Sequence, residues 1–192
     1  MNNINQTATI NKSKRMKTID LVMTGMFTAI LVVMAQITIP THPIPFTLSL
    51  FAVFLIGALL SPRYAFLSVI VYLLLGAFGV PVFSKMNGGI GYLTKSTGGY
   101  LMAYPIMAFI TSLFYKYSKK FKVPALACGM LISLFLCYLL GTLWFTKVSG
   151  MEFNDAIKAC VYPFIPFDLV KIALAVSIST VIRKTVMKTI NI

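Results

Sequence analysis

The sequence predicts an all-α membrane protein of six transmembrane helices with its N- and C-termini in the cytoplasm. Three observations carry that expectation. Of its 192 residues, 58% are hydrophobic and 11% charged, with a mean hydropathy of +0.88. A soluble domain is about 45–50% apolar and about a quarter charged, and at this size it leaves too much surface in water to hide such a surplus. The apolar residues also gather into six runs, and the basic residues gather at the ends of those runs. The length suits one bundle, with no room for a separate soluble domain.

A span needs about 20 mostly apolar residues. Residues 1–18 read as a polar, basic and disordered N-terminal tail. A basic segment ahead of an apolar run can be a secretory signal. Here the run over 21–39 is longer than a signal's apolar region and no small-residue cleavage site follows it, so it reads as a retained first span over 19–39. Pro40, Pro43 and Pro45 end it. The second span is expected over 46–60 and the third over 63–78, split by Ser61-Pro62-Arg63; both are short. The Gly-rich stretch 79–99 is too polar for lipid contact. Spans four, five and six are expected over 99–115, 124–145 and 163–182, with a loop at about 147–162. The single transmembrane domain therefore covers 19–185, and 186–192 form a short cytoplasmic tail.

A net charge of +13 in a soluble protein would point to nucleic acid. The placement of the charges argues otherwise, because the clusters sit at segment ends and form no basic face interleaved with aromatics. With the N-terminus inside, twelve of the 17 basic residues fall on cytoplasmic segments: Lys12, Lys14, Arg15, Lys17, Arg63, Lys116, Lys119, Lys120, Lys122, Arg183, Lys184 and Lys188. Lys85, Lys95, Lys147 and Lys158 fall outside, and Lys171 lies within span six. That bias follows the positive-inside rule. The expected partner is membrane lipid, with no nucleic acid.

The remaining chemistry is sparse. Cys128, Cys137 and Cys160 make no C-x-x-C pair, and the lone His42 reads as a loop residue, so no metal site is expected. The only acids are Asp20, Glu152, Asp155 and Asp168. They form no carboxylate cluster of the kind a metal-dependent membrane transferase needs, and no serine or cysteine has a recognisable base, so no catalytic residues are assigned.

Three features stand out against this background. Asp168 and Lys171 are the charges inside an apolar run, and charges at that depth are costly and functional by default. Their i, i+3 spacing puts both on one helix face. They read either as a helix-start carboxylate with a salt-bridged lysine or as part of an outward-facing ligand pocket. The stretch Asn87-Gly-Gly-Ile-Gly-Tyr-Leu-Thr-Lys-Ser-Thr-Gly-Gly-Tyr100 has five glycines, which let backbone approach a ligand closely. It reads either as a surface loop or as backbone lining a cavity at membrane depth. It lacks the glycine that a phosphate-binding loop needs before its lysine, so ATP binding is excluded. Gly25 and Ala29, four apart in span one, allow close helix approach, within the bundle or against a partner.

The motifs Pro43-Ile-Pro-Phe-Thr47, Ser61-Pro-Arg63, Leu73-Leu-Leu-Gly-Ala77 with Gly79-Val-Pro-Val-Phe83, Asn87-Gly-Gly-Ile-Gly91, Ser96-Thr-Gly-Gly-Tyr100 and Pro166-Phe-Asp-Leu-Val-Lys171 occur in that order. Together they resemble the BioY family, the biotin-specific substrate-binding (S) subunits of energy-coupling factor (ECF) transporters. The resemblance implies an S-component-like six-helix bundle in a bacterial plasma membrane, with a biotin pocket near the outer face. It implies a transmembrane T subunit and two cytoplasmic ATPase subunits as partners, which supply the energy, so the chain is not itself an enzyme. By position, Asn87 and Asp168 would bind the ureido ring, Lys171 would support that network or meet the carboxylate, and Tyr100 would line the site. Gly25 and Ala29 would face the T subunit. No cofactor is implied beyond biotin as the transported ligand.

The family commonly has Gly-Pro before Thr-Gly-Gly-Tyr where this chain has Lys95-Ser96, and a glutamine where this chain has Ser49. Those departures leave a close analogue or precursor of biotin as a second ligand reading. From a different class comes a stand-alone secondary transporter of a small carboxylated vitamin using Asp168 as its coupling site. Internal repeats would favour it, and no convincing repeat is seen.

Overall fold

Residues 2–24 contain neither proline nor glycine, so nothing in them stops a helix. The computed structural model describes residues 2–39, 44–118 and 120–190, with side chains described over 18–39, 44–118 and 120–185. In it, helix α1 runs Asn2–Gln36. This corrects the expectation of a disordered tail, because the basic segment continues the first helix. Pro40, His42, Pro43 and Lys119 lie outside the described residues.

Strand β1 (Thr38–Ile39) pairs antiparallel with β2 (Phe46–Thr47), Thr38 opposite Thr47 and Ile39 opposite Phe46. This ribbon delivers the chain into α2 (Ser49–Leu59), and α3 (Pro62–Ala77) starts on a proline, whose fixed φ suits the first helical turn. The Gly-rich stretch folds into a 3₁₀ turn at Ser84–Met86 and the short α4 (Ile90–Leu93). Then come α5 (Gly98–Tyr117), α6 (Lys122–Ser149), α7 (Phe153–Cys160) and α8 (Ile165–Ile190). Helix α7 corrects the expected loop at 147–162. Its Phe153, Ala156, Ile157 and Cys160 recur at helical spacing, and Ala156 and Cys160 are buried.

Four helices are long and apolar enough to cross a membrane: Thr18–Gln36 of α1, α5, α6 and Ile165–Thr185 of α8. Helices α2 and α3 are shorter apolar helices. At 1.5 Å per residue α2 spans about 16 Å, against a hydrocarbon core of about 30 Å. It need not cross lipid unaided, because ten of its 11 residues are buried. It packs against α1, α3, α5 and α8, and an apolar helix buried all round is a core element. Most of span two is therefore the centre of the bundle, while its first residues form β2.

Close approach and shared polar groups hold the helices together, since lipid gives apolar side chains no reason to associate. A Cβ on Gly57 would lie 2.7 Å from Thr111 Cβ and 2.8 Å from the Ala108 carbonyl oxygen, so α2 and α5 meet almost backbone to backbone. Thr28 and Ser68 join α1 to α3 through a 3.0 Å hydroxyl–hydroxyl bond, and Thr111 and Ser133 join α5 to α6 at 3.1 Å. The end of α2 is satisfied from two neighbours. Ser112 Oγ donates to the Leu60 carbonyl at 2.6 Å, and Arg183 Nε donates to the Ala58 carbonyl at 2.7 Å.

Gly57→Val should lower the stability of the detergent-purified chain by about 1–3 kcal/mol, the usual cost of overpacking. Gly25→Leu should leave it unchanged, because nothing lies within 4 Å of a Cβ at Gly25. Thermal unfolding of the two variants side by side checks both; equal melting temperatures would refute the α2–α5 contact.

Candidate functional site

Helix α8 opens beside the β1–β2 ribbon, and its first turns carry Asp168 and Lys171. Both are buried, 4% and 6% exposed, although both are ionisable. Ions in such a place persist only when each has partners, and here the partners come from three elements. Lys171 Nζ donates to Asp168 Oδ1 at 2.9 Å and to the Thr47 carbonyl of β2 at 2.9 Å. It also sits 3.9 Å from the centroid of the Phe46 ring, close enough for a cation–π contact. Tyr138 of α6 donates from its hydroxyl to Asp168 Oδ2 at 2.5 Å. Each carboxylate oxygen thus has one protein donor, and an ionised carboxylate oxygen can accept a second.

Asp168, Lys171 and Tyr138 line a cavity of about 70 Å³ with Tyr100, Tyr104 and Cys160. A second chamber of about 50 Å³ shares Ile44, Pro45, Thr47, Tyr100 and Tyr104 with it and adds Ser49, Tyr72, Ser84 and Tyr92. Each exceeds the ~10–15 Å³ a single water needs. The chambers lie side by side, one carrying an ion pair and the other several hydroxyls. Tyr72 Oη, fully buried on the wall of the second, has no hydrogen-bond partner among the described residues. A buried polar atom of that kind calls for an explanation such as a ligand or water.

The walls are held rigidly. Tyr100 bonds Thr142 through its hydroxyl at 3.0 Å, and its ring packs where a Cβ on Gly141 would stand, 2.2 Å away. Trp144 packs against Gly99 in the same manner and donates from Nε1 to the Lys95 carbonyl at 3.0 Å. Burial pushes the Cys160 thiol up to about 11, so at neutral pH it is an uncharged wall residue and not a nucleophile.

The structure gathers three of the four residues expected to bind ligand. Asp168, Lys171 and Tyr100 share one cavity. Asn87 does not line either chamber; its Nδ2 donates to the Ser84 carbonyl at 2.8 Å and closes the turn that carries Ser84. Gln36, at the end of α1, braces the same turn, donating to the Val82 and Phe83 carbonyls at 3.1 Å and accepting from Met86 N–H at 3.0 Å. Gly25 and Ala29 lie on an exposed face of α1. Sequence reasoning missed Tyr138, Tyr104, Tyr72 and Thr47. A tyrosine inside an apolar run was the available signal, since its hydroxyl needs a partner wherever it is buried.

Comparison with known proteins gives a consistent result. The family model described as "BioY family" matches residues 8–188. A "Probable biotin transporter BioY" of Pyrococcus horikoshii is 40% identical, over 85% of this chain and 96% of its own. A "Biotin transporter BioY" of Thermotoga maritima is 38% identical, over 85% of this chain and 95% of its own. Among solved structures, the S-component for biotin from an ECF-type ABC transporter superposes with a TM-score of 0.80 at 26% identity. That match covers 89% of this chain and 94% of the other. The likeness read from the motifs is borne out.

Lys171→Met should destabilise the chain by about 3–5 kcal/mol, because it strands a buried carboxylate. Combining it with Asp168→Asn should recover a large part of that loss. Thermal unfolding of both singles and the double measures the coupling; additive effects would contradict the buried pair.

Proposed function

The chain belongs to the BioY family, and from that premise we propose that it captures biotin as the substrate-binding subunit of an ATP-driven vitamin uptake system. One observation carries the proposal. A buried carboxylate, fixed by Lys171 and Tyr138, keeps acceptor capacity on both oxygens at the wall of a cavity. Biotin offers two ureido N–H donors and one strong acceptor, an apolar bicycle and chain, and a carboxylate.

In this reading Asp168 accepts from a ureido N–H, and Tyr100 and Tyr104 enclose the bicycle. Tyr72 Oη, otherwise unpartnered, donates to a ligand oxygen in the second chamber. Lys171 orients Asp168 and supplies the positive potential that suits an anionic vitamin. Asn87 acts through the turn it closes, which carries Ser84 on the second chamber's wall. A site built on such groups rejects analogues lacking them, because its own buried polar atoms are then left unpaired. Ser49, where the family commonly has glutamine, lines the second chamber, so any tolerance for a precursor arises there.

The relatives are transporters, and the proposed cycle takes its energy from elsewhere: a transmembrane T subunit and two cytoplasmic ATPases. Gly25 and Ala29 offer the T subunit a face without protruding side chains, flanked by exposed Leu21, Val22 and Val33. The chain is a multi-pass membrane protein. We place it in the plasma membrane with six crossings, α2 and α3 being short ones inside the bundle, and with both termini cytoplasmic, the orientation the distribution of basic residues supports. No observation favours the stand-alone secondary transporter.

Isothermal titration of the purified chain should give one biotin per chain; no binding at micromolar ligand overturns the reading. Asp168→Asn should weaken binding by roughly tenfold or more, about 1.4 kcal/mol or above, and unchanged affinity removes Asp168 from the site. Tyr72→Phe should weaken binding without lowering the melting temperature. Co-expressed with a T subunit and ATPases, the wild type should co-purify as a complex. Gly25→Leu should lose that complex while still binding biotin, and retention of the complex would move the interface elsewhere.

A further inference from the structure

A larger cavity, of about 290 Å³, lies at the opposite end of α8 from Asp168. Arg183 on its wall follows Asp168 by 15 positions in one helix, about 22 Å along the axis. The cavity sits where the end of α5, the start of α6 and the last third of α8 converge. Three cations line it, Lys122, Arg183 and Lys184, with Tyr115, and Val123 and Leu126 give it an apolar wall. No acidic residue lines it. Lys122 and Lys184 are exposed, and the two ion pairs among the described residues, Lys171–Asp168 and Lys158–Asp155, involve neither.

The cations differ in function. The Arg183 guanidinium is engaged with the Ala58 carbonyl and stacks on Tyr115 at 3.9 Å, so it is a fixed part of the fold that brings its charge with it. Lys122 lies 5.6 Å from the same ring, and it and Lys184 can swing toward a ligand. Ser179 and Thr180 donate to the Val176 carbonyl, which leaves their oxygens able to accept from a hydroxyl. Tyr117 and Phe121, 74% and 67% exposed, stand at the same level. Exposed aromatics of that kind mark the membrane–water interface.

We propose that this cavity binds the head group of an anionic glycerophospholipid. The phosphodiester lies between Lys122 and Lys184 beside Arg183, and the start of an acyl chain lies on Val123 and Leu126. The positive rim selects the negative charge, and the apolar wall distinguishes a lipid from free phosphate, which has nothing to place there. The inference rests on the cytoplasmic placement of this end proposed above, since the cytoplasmic leaflet is the anionic one and attracts Lys and Arg near its surface. Such a lipid would bridge α5, α6 and α8 at the end remote from the vitamin site.

The test uses the full chain, delipidated in neutral detergent, which makes it independent of orientation in a membrane. Native mass spectrometry and thermal unfolding are followed with added phosphatidylglycerol, phosphatidylcholine or inorganic phosphate, and biotin binding is read on the same samples. Wild type should retain phosphatidylglycerol adducts and gain stability saturably, with phosphatidylcholine and phosphate having little effect. Lys122→Gln combined with Lys184→Gln should bind phosphatidylglycerol at least tenfold more weakly while biotin binding is unchanged. Lys147→Gln combined with Lys158→Gln, at the other end of the molecule, should behave as wild type. Val123→Trp, which fills the apolar wall, is the second variant should the double lysine variant fail to fold. Equal retention of phosphatidylcholine, an equal response to phosphate, or undiminished phosphatidylglycerol binding in the folded variant each overturns the proposal. Biotin binding that fails in wild type bears on the vitamin site and leaves this result standing.

Discussion

The architecture depends on anchoring both ends of one short buried helix. Helix α2 is too short to carry its terminal carbonyls to water, and a backbone polar group left unpaired at membrane depth costs several kcal/mol. Helix α8 reaches both ends: it donates to a C-terminal carbonyl of α2 and fixes the strand that leads into its N-terminus. Lys171 donates to the Thr47 carbonyl just ahead of α2, and Arg183 donates to the Ala58 carbonyl at its end. The two cations are twelve positions apart, about 18 Å along α8, and the two carbonyls are eleven positions apart, about 16 Å if helical throughout. The lengths match, so α8 clasps α2 lengthwise, and Ser112 of α5 secures the last carbonyl.

The clasp explains why the candidate site lies where it does. A lysine that holds the start of α2 has to be buried, and a buried ammonium needs a counter-charge; Asp168, one turn earlier on the same helix, provides it. That pair is weak evidence for stability, because desolvation consumes much of the attraction. Its value is positional. Lys171 and Tyr138 approach Asp168 from different elements, so the carboxylate can turn only with a loss of bonds to both α8 and α6. An acceptor held in this way is ready to meet ligand donors without reorganising. The cost of ordering the site is met by the same contacts that fold the bundle.

How much of this was legible depends on what each residue type signals in an apolar chain. Asp168 and Lys171 were legible because charges are rare in such runs, and their spacing already placed them together. Gly25 and Ala29 were legible as a small-residue face, and α1 presents them outward. Thr47 was not legible as a partner, because it contributes a backbone carbonyl and every residue has one. Tyr138 was hidden because a tyrosine in a span counts as apolar until its hydroxyl is given a neighbour. The burial of α2 was hidden too, since a helix buried all round and a lipid-facing span read alike by composition. Helix α7 was legible in principle from Phe153, Ala156, Ile157 and Cys160, but Asp155 and Lys158 within it and Glu152 just before it made it look like a loop. Asn87 shows the reverse. A motif singles it out as a ligand group, and its amide nitrogen is spent on the turn beside it.

That turn is the one strained place in the described backbone. Lys85 and Met86 both have positive φ, 59° and 54°, a conformation that costs a non-glycine residue on the order of 1–3 kcal/mol and persists where the surroundings over-determine it. Here they do: the Gln36 side chain makes three bonds to residues 82–86 from the end of α1, and Asn87 closes the turn from the other side. The Gly-rich stretch is therefore a braced wall rather than a free loop, and its brace belongs to α1. From Ala29 on the exposed face to Gln36, which braces the turn carrying Ser84, is two turns of the same helix, about 10 Å. Anything bound on that face would thus touch the rigid element that braces the second chamber. A rigid element transmits position and not a change of state, because coupling between sites needs an element with two arrangements. What the shared helix secures is that the chamber and the small-residue face of α1 keep a constant geometry relative to each other.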